Sequence, residues 1–153
     1  MVNAYALKVT RIFMVTLLMF IGDLKDPNFC KEVVKKTIDT YGKLDILVNN
    51  AGTHDKADDI RDISYQQFDS TFKTNVYSMF CLTQEALNHM KEGSSIINTT
   101  SVVAYKGNPM IVDYASTKGA MEAFTFSLAS NLMEKGIRVN AVAPGPIWYA
   151  KFS

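Results

Sequence analysis

The spacing of apolar residues along this chain changes period several times, and each change marks an element. Residues 11–22, RIFMVTLLMFIG, are almost uninterruptedly apolar, which predicts a buried parallel strand over residues 12–21 that ends at Gly22. Phe29, Val33, Val34 and Ile38 then recur at three- and four-residue spacings between Asp26-Pro27, a helix start, and Gly42, a helix end. Residues 45–48 read as a short buried strand that runs into the polar turn NNAG. In SYQQ, Ser64 is placed to cap a second helix and Gln67 to reach back to it, with Phe68, Phe72, Val76, Phe80 and Leu87 following and Gly93 as the stop. SSIINTTS predicts a strand, YASTKGAMEAFTFSLASNLMEKG a long helix closed by Gly136, and IRVNAVAPG a further strand that enters a Pro/Gly turn.

The order is β-α-β-α-β-α-β, with no repeat, low-complexity tract or linker, so one domain is expected over residues 1–153. Alternation of this kind with nearly continuous apolar strands implies an α/β fold, a parallel sheet with helices on both faces joined by right-handed crossovers.

Composition narrows the ligand more than the fold. With 16 basic against 15 acidic residues there is no basic stripe for nucleic acid, and a small neutral or anionic ligand is the more natural partner. Cys30 and Cys81 lack metal-type spacing and read as buried or half-buried thiols suited to a reducing compartment, so a cytoplasmic location is expected. His54 and His89 have no ligand set beside them and read as loop and helix surface, and no metal site is expected. Lys8 and Arg11 ahead of the apolar run give it a superficial signal-peptide layout. Asp23, Leu24, Lys25 and Asp26 follow in place of a small-residue cleavage site, and the run is shorter than the ~20 residues of a membrane span, so a strand is preferred to a membrane or export role.

In parallel α/β sheets, ligands sit outside the carboxyl ends of the strands. Four groups fall there: Gly22-Asp23-Leu24, Asn49-Asn50-Ala51-Gly52, Thr99-Thr100-Ser101 and Pro144-Gly145-Pro146-Ile147. Small residues at 51 and 52 admit close backbone approach to a flat or sugar-bearing ligand, and Asp23 can accept from a ring amino group. Asn-Asn and Pro-Gly are also ordinary turn formers, and Asp23 could equally cap the next helix. Tyr114 and Lys118, four positions apart in DYASTKGAM, share a helix face and can act on one small molecule together, although such a pair also occurs on plain surface helices.

Taken together, LVNNAG, TNV at residues 74–76, INTTS, a Tyr-x-x-x-Lys motif thirteen residues after Ser101, and IRVNAVAPGPI resemble the short-chain dehydrogenase/reductase family, in order and in register from Gly22 to Ile147. Within that family the wording is similar to the bacterial branch of general-stress and glucose-dehydrogenase-like oxidoreductases. The resemblance implies a Rossmann-like fold and hydride transfer between NAD or NADP and an alcohol/carbonyl substrate. It further implies that Tyr114 is the general acid/base, that the charge of Lys118 favours its phenolate and holds the nicotinamide ribose, and that Ser101 orients the reacting oxygen. Asn75 would open its helix locally and bind a water in a proton relay. Asp23 and Leu24 would meet the adenine, Asn49, Ala51 and Gly52 the adenosine ribose, and Pro144, Gly145 and Ile147 the nicotinamide, with Tyr114 and Lys118 also touching cofactor.

The chain departs from the family pattern at both ends. No TGxxxGIG-type turn precedes Gly22, so the glycine-rich first βαβ unit is expected to be missing, and the chain stops at Ser153, where a substrate region would continue. Tyr149 stands near the place of an expected threonine. A truncated fold of this kind would leave the 45–48 strand with a bare apolar edge, into which residues 12–21 could slide or which a second chain could cover. The rival expectation is a remnant without activity that only folds or forms a homo-oligomer through the helices at residues 68–87 and 114–133.

Overall fold

The computed structural model describes residues 2–9 and 15–146, with side chains from residue 17 to residue 146. In chain order the elements are β1 (Val2–Val9), β2 (Val15–Gly22), α1 (Pro27–Tyr41), β3 (Ile46–Asn49), α2 (Tyr65–Phe72), α3 (Ser78–Ala86), β4 (Ser95–Thr99), α4 (Val103–Lys106), α5 (Val112–Leu132) and β5 (Arg138–Val142). Local chemistry sets the boundaries. Asp26 caps α1 by accepting from the Asn28 N–H at 2.9 Å with Pro27 just inside the start, and Gly42, at φ +77°, closes it with an N–H bonded to the Ile38 carbonyl. Ser64 caps α2 through the Gln67 N–H at 3.1 Å, but the Gln67 side chain does not reach back as the capping box predicts. It donates to the Asp113 carboxylate at 3.2 Å, an acceptor carrying charge where the cap backbone carries none.

Strands β3, β4 and β5 form a parallel sheet in that order, with Ile46 opposite Ser95 and Ile96 opposite Val139. The expectation for residues 12–21 needs correction. Its first part lies outside the described residues, and the remainder, in β2, does end at Gly22 but pairs antiparallel with β1, from Val2 opposite Gly22 to Val9 opposite Val15. A local antiparallel pair needs only a short connection, whereas a parallel neighbour needs a crossover, and an apolar run satisfies either arrangement. Strand β2 therefore does not fill the open edge of β3. Its side chains alternate instead of being buried on both sides: Phe20 is buried, while Leu17, Met19 and Ile21 are exposed.

Two clusters make the core. Phe20, Leu24, Cys30, Val33, Val34 and Leu82 join β2, α1 and α3, while Ala86, Met90, Ile96, Leu132, Ile137 and Val139 join α3, α5 and the sheet. Leu47, Ile96 and Val139 point to the helix-covered side of the sheet. On the opposite side Ile46 and Val48 are 60% and 54% exposed, so cover on both faces is realised on one face among the described residues. Cys30 is fully buried, and burial, with Cys81 nearby, pushes its thiol up to about 12. No described helix is long and apolar enough to cross a membrane.

Candidate active site

The site begins with the first two turns of α5, where two adjacent stripes of side chains diverge. Asp113 and Thr117 lie on one stripe and Tyr114 and Lys118 on the next, about 100° round the helix. The first stripe is a clamp. Fully buried Asp113 accepts from Gln67 Nε2 at 3.2 Å, from Thr71 Oγ1 at 2.9 Å and from the Tyr114 N–H at 2.8 Å. Thr117 accepts from Asn75 Nδ2 at 3.0 Å. Asn75 sits in a π-helical turn, Lys73–Tyr77, that separates α2 from α3, so the expected local opening of its helix is present. Its amide oxygen accepts from the Thr53 N–H at 2.8 Å and its amide nitrogen also donates to the Thr53 carbonyl at 3.0 Å. Three bonds thus use both amide hydrogens and one lone pair of the oxygen for fixing the loop after β3 and the flank of α5.

The second stripe faces the carboxyl ends of β3 and β4. The Tyr114 phenol stands beside the Ser101 side chain; burial pushes it above its ordinary value, and the nearby Ser101 hydroxyl pulls the other way. Lys118 is buried, and its ammonium donates to the Thr99 carbonyl at 2.6 Å and stands 5.4 Å from the centre of the Tyr114 ring. Burial alone brings Lys118 down to about 8. In this geometry the Lys118 ammonium is directed at the Thr99 carbonyl, and burial and Ser101 are what shift the Tyr114 phenol. Gly52 completes the group: a Cβ on it would stand 3.6 Å from Asn75 Oδ1 and 3.7 Å from Lys118 Nζ.

Ser101, Tyr114, Lys118, Asn75 and Gly52 thus come together, whereas several other candidates do not join them. Asn49 is buried, and its amide nitrogen donates to Thr83 Oγ1 at 3.1 Å and to Asn98 Oδ1 at 2.9 Å, inside the protein. Leu24 is core, packed with Phe20 and Cys30, and not a lining of an open edge. Asp23 neither caps α1 nor belongs to the parallel sheet; its carboxylate folds back on the Lys25 N–H at 3.0 Å. Ala51 is half-buried against the first core cluster. Pro144 accepts from the Val102 N–H at 3.1 Å and Gly145 is exposed beside it, so both lie next to Ser101, while Ile147 and Tyr149 fall outside the described residues.

Sequence reasoning missed three features. Asn98 donates to Thr125 Oγ1 at 2.8 Å and so completes a buried polar ladder, Thr83–Asn49–Asn98–Thr125; an asparagine amid the apolar residues of a strand is the signal for it. Asp113 is the clamp just described. His54, read as loop surface, lies with its ring centre 5.3 Å from that of Tyr114, and no periodicity in a loop announces that contact.

A family model described as enoyl-(acyl carrier protein) reductase matches residues 7–152. The chain belongs to the short-chain dehydrogenase/reductase family. Among relatives, General stress protein 39 of Bacillus subtilis (strain 168) is 54% identical over 131 residues, 86% of this chain and 46% of that protein. The NADPH-dependent aldehyde reductase 1, chloroplastic, of Arabidopsis thaliana is 54% identical over 126 residues, 82% of this chain and 44% of that protein. A crystal structure of a short chain dehydrogenase from Burkholderia cenocepacia J2315 in complex with NADP superposes with a TM-score of 0.77 at 34% identity, covering 81% of this chain and 51% of the other. The chain spans less than half the length of these two curated relatives and about half of the solved one.

Proposed function

We propose that this chain carries the proton-transfer site of a nicotinamide-dependent oxidoreductase that interconverts alcohols and carbonyls. One observation carries the reading: a phenol beside the Ser101 side chain, with an ammonium over its ring, faces the carboxyl ends of β3 and β4. Tyr114, held protonated above its ordinary range, donates its proton to the carbonyl oxygen in the reducing direction and recovers it in the oxidising one. Ser101 offers the same oxygen a second hydrogen bond and so orients it. Lys118 gives one ammonium hydrogen to the Thr99 carbonyl and another, at 3.6 Å, to Met121 Sδ, which leaves a third that suits a ribose hydroxyl; Asn75 holds the opened helix turn that borders it.

The cofactor fits this chain at one end. The space over Gly52 is bounded by Asn75 Oδ1 and Lys118 Nζ, a donor and acceptor set suited to a sugar, and Pro144 and Gly145 border Ser101. The described residues hold no glycine-rich turn at a helix start for a pyrophosphate. A reduced nicotinamide, when bound, would supply the hydride for carbonyl reduction, and its oxidised form would accept one from the alcohol. NADP is the first choice over NAD, on the strength of the NADP-bound relative and the NADPH-dependent one. Calorimetric titration of the folded chain with NADPH and with NADH tests this: saturable heat with either supports the reading, and none from a folded chain overturns it. Tyr114→Phe should abolish turnover while moving stability by no more than about 1 kcal/mol, since it removes a single hydroxyl; near-normal rates would remove Tyr114 from the proton transfer.

A second reading is a chain that folds and associates without turnover. It is favoured by Tyr77, Phe80, Phe126 and Met133, all exposed on or beside the helices. Sedimentation equilibrium of a chain that binds no cofactor would show an oligomer.

A further inference from the structure

The proton-transfer reading uses two neighbours of Tyr114, Ser101 and Lys118. A further neighbour is His54, with ring centres 5.3 Å apart and planes tilted by 53°. The histidine does not arrive there by a loose excursion of the loop. The residue before it, Thr53, is held at both its N–H and its carbonyl by Asn75, and three residues later the Ala57 N–H donates to the Met110 carbonyl at 3.0 Å. The loop is thus pinned on either side of His54, to the π-helical turn and to the segment just before α5. His54 itself is exposed, and its imidazole makes no hydrogen bond among the described residues. A polar ring is therefore fixed in place beside the phenol with its nitrogens open to whatever approaches.

We infer that His54 contacts the substrate and sets its specificity, hydrogen-bonding a hydroxyl on the carbon next to the reacting carbonyl, so that 2-hydroxy carbonyl compounds and the corresponding vicinal diols are the preferred substrates. The inference rests on the reading of Tyr114 as the group that meets the reacting oxygen. That oxygen lies about 2.6–3.2 Å from the phenolic oxygen in a productive complex. The next carbon of a small substrate is then the first one whose substituent can extend toward a ring packed against the side of the phenol. A neutral imidazole presents one donor and one acceptor, and a hydroxyl complements either, whichever tautomer is present. A methyl or methylene in the same place complements neither and takes water from the ring. A carboxylate is the poorer match, because the nearest buried cation, Lys118, directs its ammonium at the Thr99 carbonyl.

Two measurements on the full chain test this. With NADPH, the ratio of kcat/KM for glyceraldehyde to that for propanal should exceed one, should fall about 3- to 10-fold in His54→Phe, which keeps a ring against Tyr114 but no nitrogen, and should recover in part in His54→Gln. A ratio unchanged in His54→Phe overturns the inference. The second measurement needs no turnover: the side-chain ¹H–¹⁵N resonances of His54 are followed by NMR during titration with propane-1,2-diol and with propan-1-ol. The diol should saturate the His54 shift at a concentration at least about 3-fold lower than the alcohol, in wild type and in Tyr114→Phe alike; equal responses overturn the inference. Failure of the proton-transfer reading shows separately, as turnover retained in Tyr114→Phe or as no heat with either cofactor while the diol preference at His54 persists.

Discussion

Removing the Asp113 carboxylate should cost more stability than any single change at Tyr114, although the two residues are adjacent. Asp113 is fully buried and is met only by donors: Gln67 Nε2 at 3.2 Å, Thr71 Oγ1 at 2.9 Å and the Tyr114 N–H at 2.8 Å. In Asp113→Ala all three lose their acceptor. Thr71 is the least affected, since its hydroxyl is also 3.0 Å from the Gln67 carbonyl. The Tyr114 N–H, in the first turn of α5, has no earlier carbonyl of its helix to turn to. Hydrogen bonds to a charged group contribute about 1.5–3 kcal/mol each, and orphaned donors cost a similar amount, but the variant is also relieved of desolvating a carboxylate. The net loss should be about 2–4 kcal/mol, which for a domain of this size lowers the melting temperature by about 10 °C. Asp113→Asn should lose about half as much, because one oxygen remains for the Tyr114 N–H and the Gln67 amide can turn its own oxygen toward the new NH₂. Urea unfolding followed by far-UV circular dichroism reads the free energies, and hydrogen exchange reads the Tyr114 amide. A loss below about 1 kcal/mol in Asp113→Ala, with exchange at Tyr114 unchanged, would refute the idea that this carboxylate fastens α5 to α2.

Lys118 gives a pH signature. Burial brings its ammonium down to about 8 in the folded chain from the 10.5 of an exposed lysine, so between those values the unfolded state binds more protons and stability rises with pH, by about 3 kcal/mol if Lys118 acted alone. Cys30 acts in the opposite sense from pH 9 upward, because its folded thiol keeps its proton to about 12. The clean window is therefore pH 8 to 9, where wild type should gain stability and Lys118→Met should not; parallel urea midpoints in that window would contradict the burial argument. In the polar ladder, Asn98→Ala should cost about 2–4 kcal/mol by leaving a small cavity and depriving the Asn49 amide nitrogen and Thr125 of partners, and a urea midpoint within error of wild type would count against it.

How much of this was legible in the sequence depends on the range of the interaction that decides each feature. Helix ends are decided within four residues, and Asp26-Pro27, Gly42 and Ser64 all mark real ends. The partner of β2 is decided by a choice between distant strands that an apolar run cannot express, and there the expected parallel position gives way to a hairpin. The inward direction of the Asn49 side chain was legible by another route. Strand alternation puts it on the same side as Leu47, which packs into the second core cluster, so its inward direction follows from period two once the strand is assigned. Gln67 shows the opposite limit, since its pattern is that of a capping box and its partner, Asp113, lies 46 residues away.

The Tyr-x-x-x-Lys spacing of α5 combines both kinds of information. The four-residue spacing of Tyr114 and Lys118 is visible in the sequence; what fixes its direction is the neighbouring pair at the same spacing, Asp113 and Thr117, whose partners come from α2 and the π-helical turn. Because the stripes lie about 100° apart on one rigid helix, holding the first against α2 leaves the second no freedom to rotate away from Ser101. Asn75 extends the same constraint across the cleft, since the amide that holds Thr117 also holds Thr53 and, through it, the loop that carries His54. One buried amide thus sets the distance between the phenol and the loop facing it. Asn75→Ala would loosen both walls at once, whereas Thr117→Val would release only the α5 side.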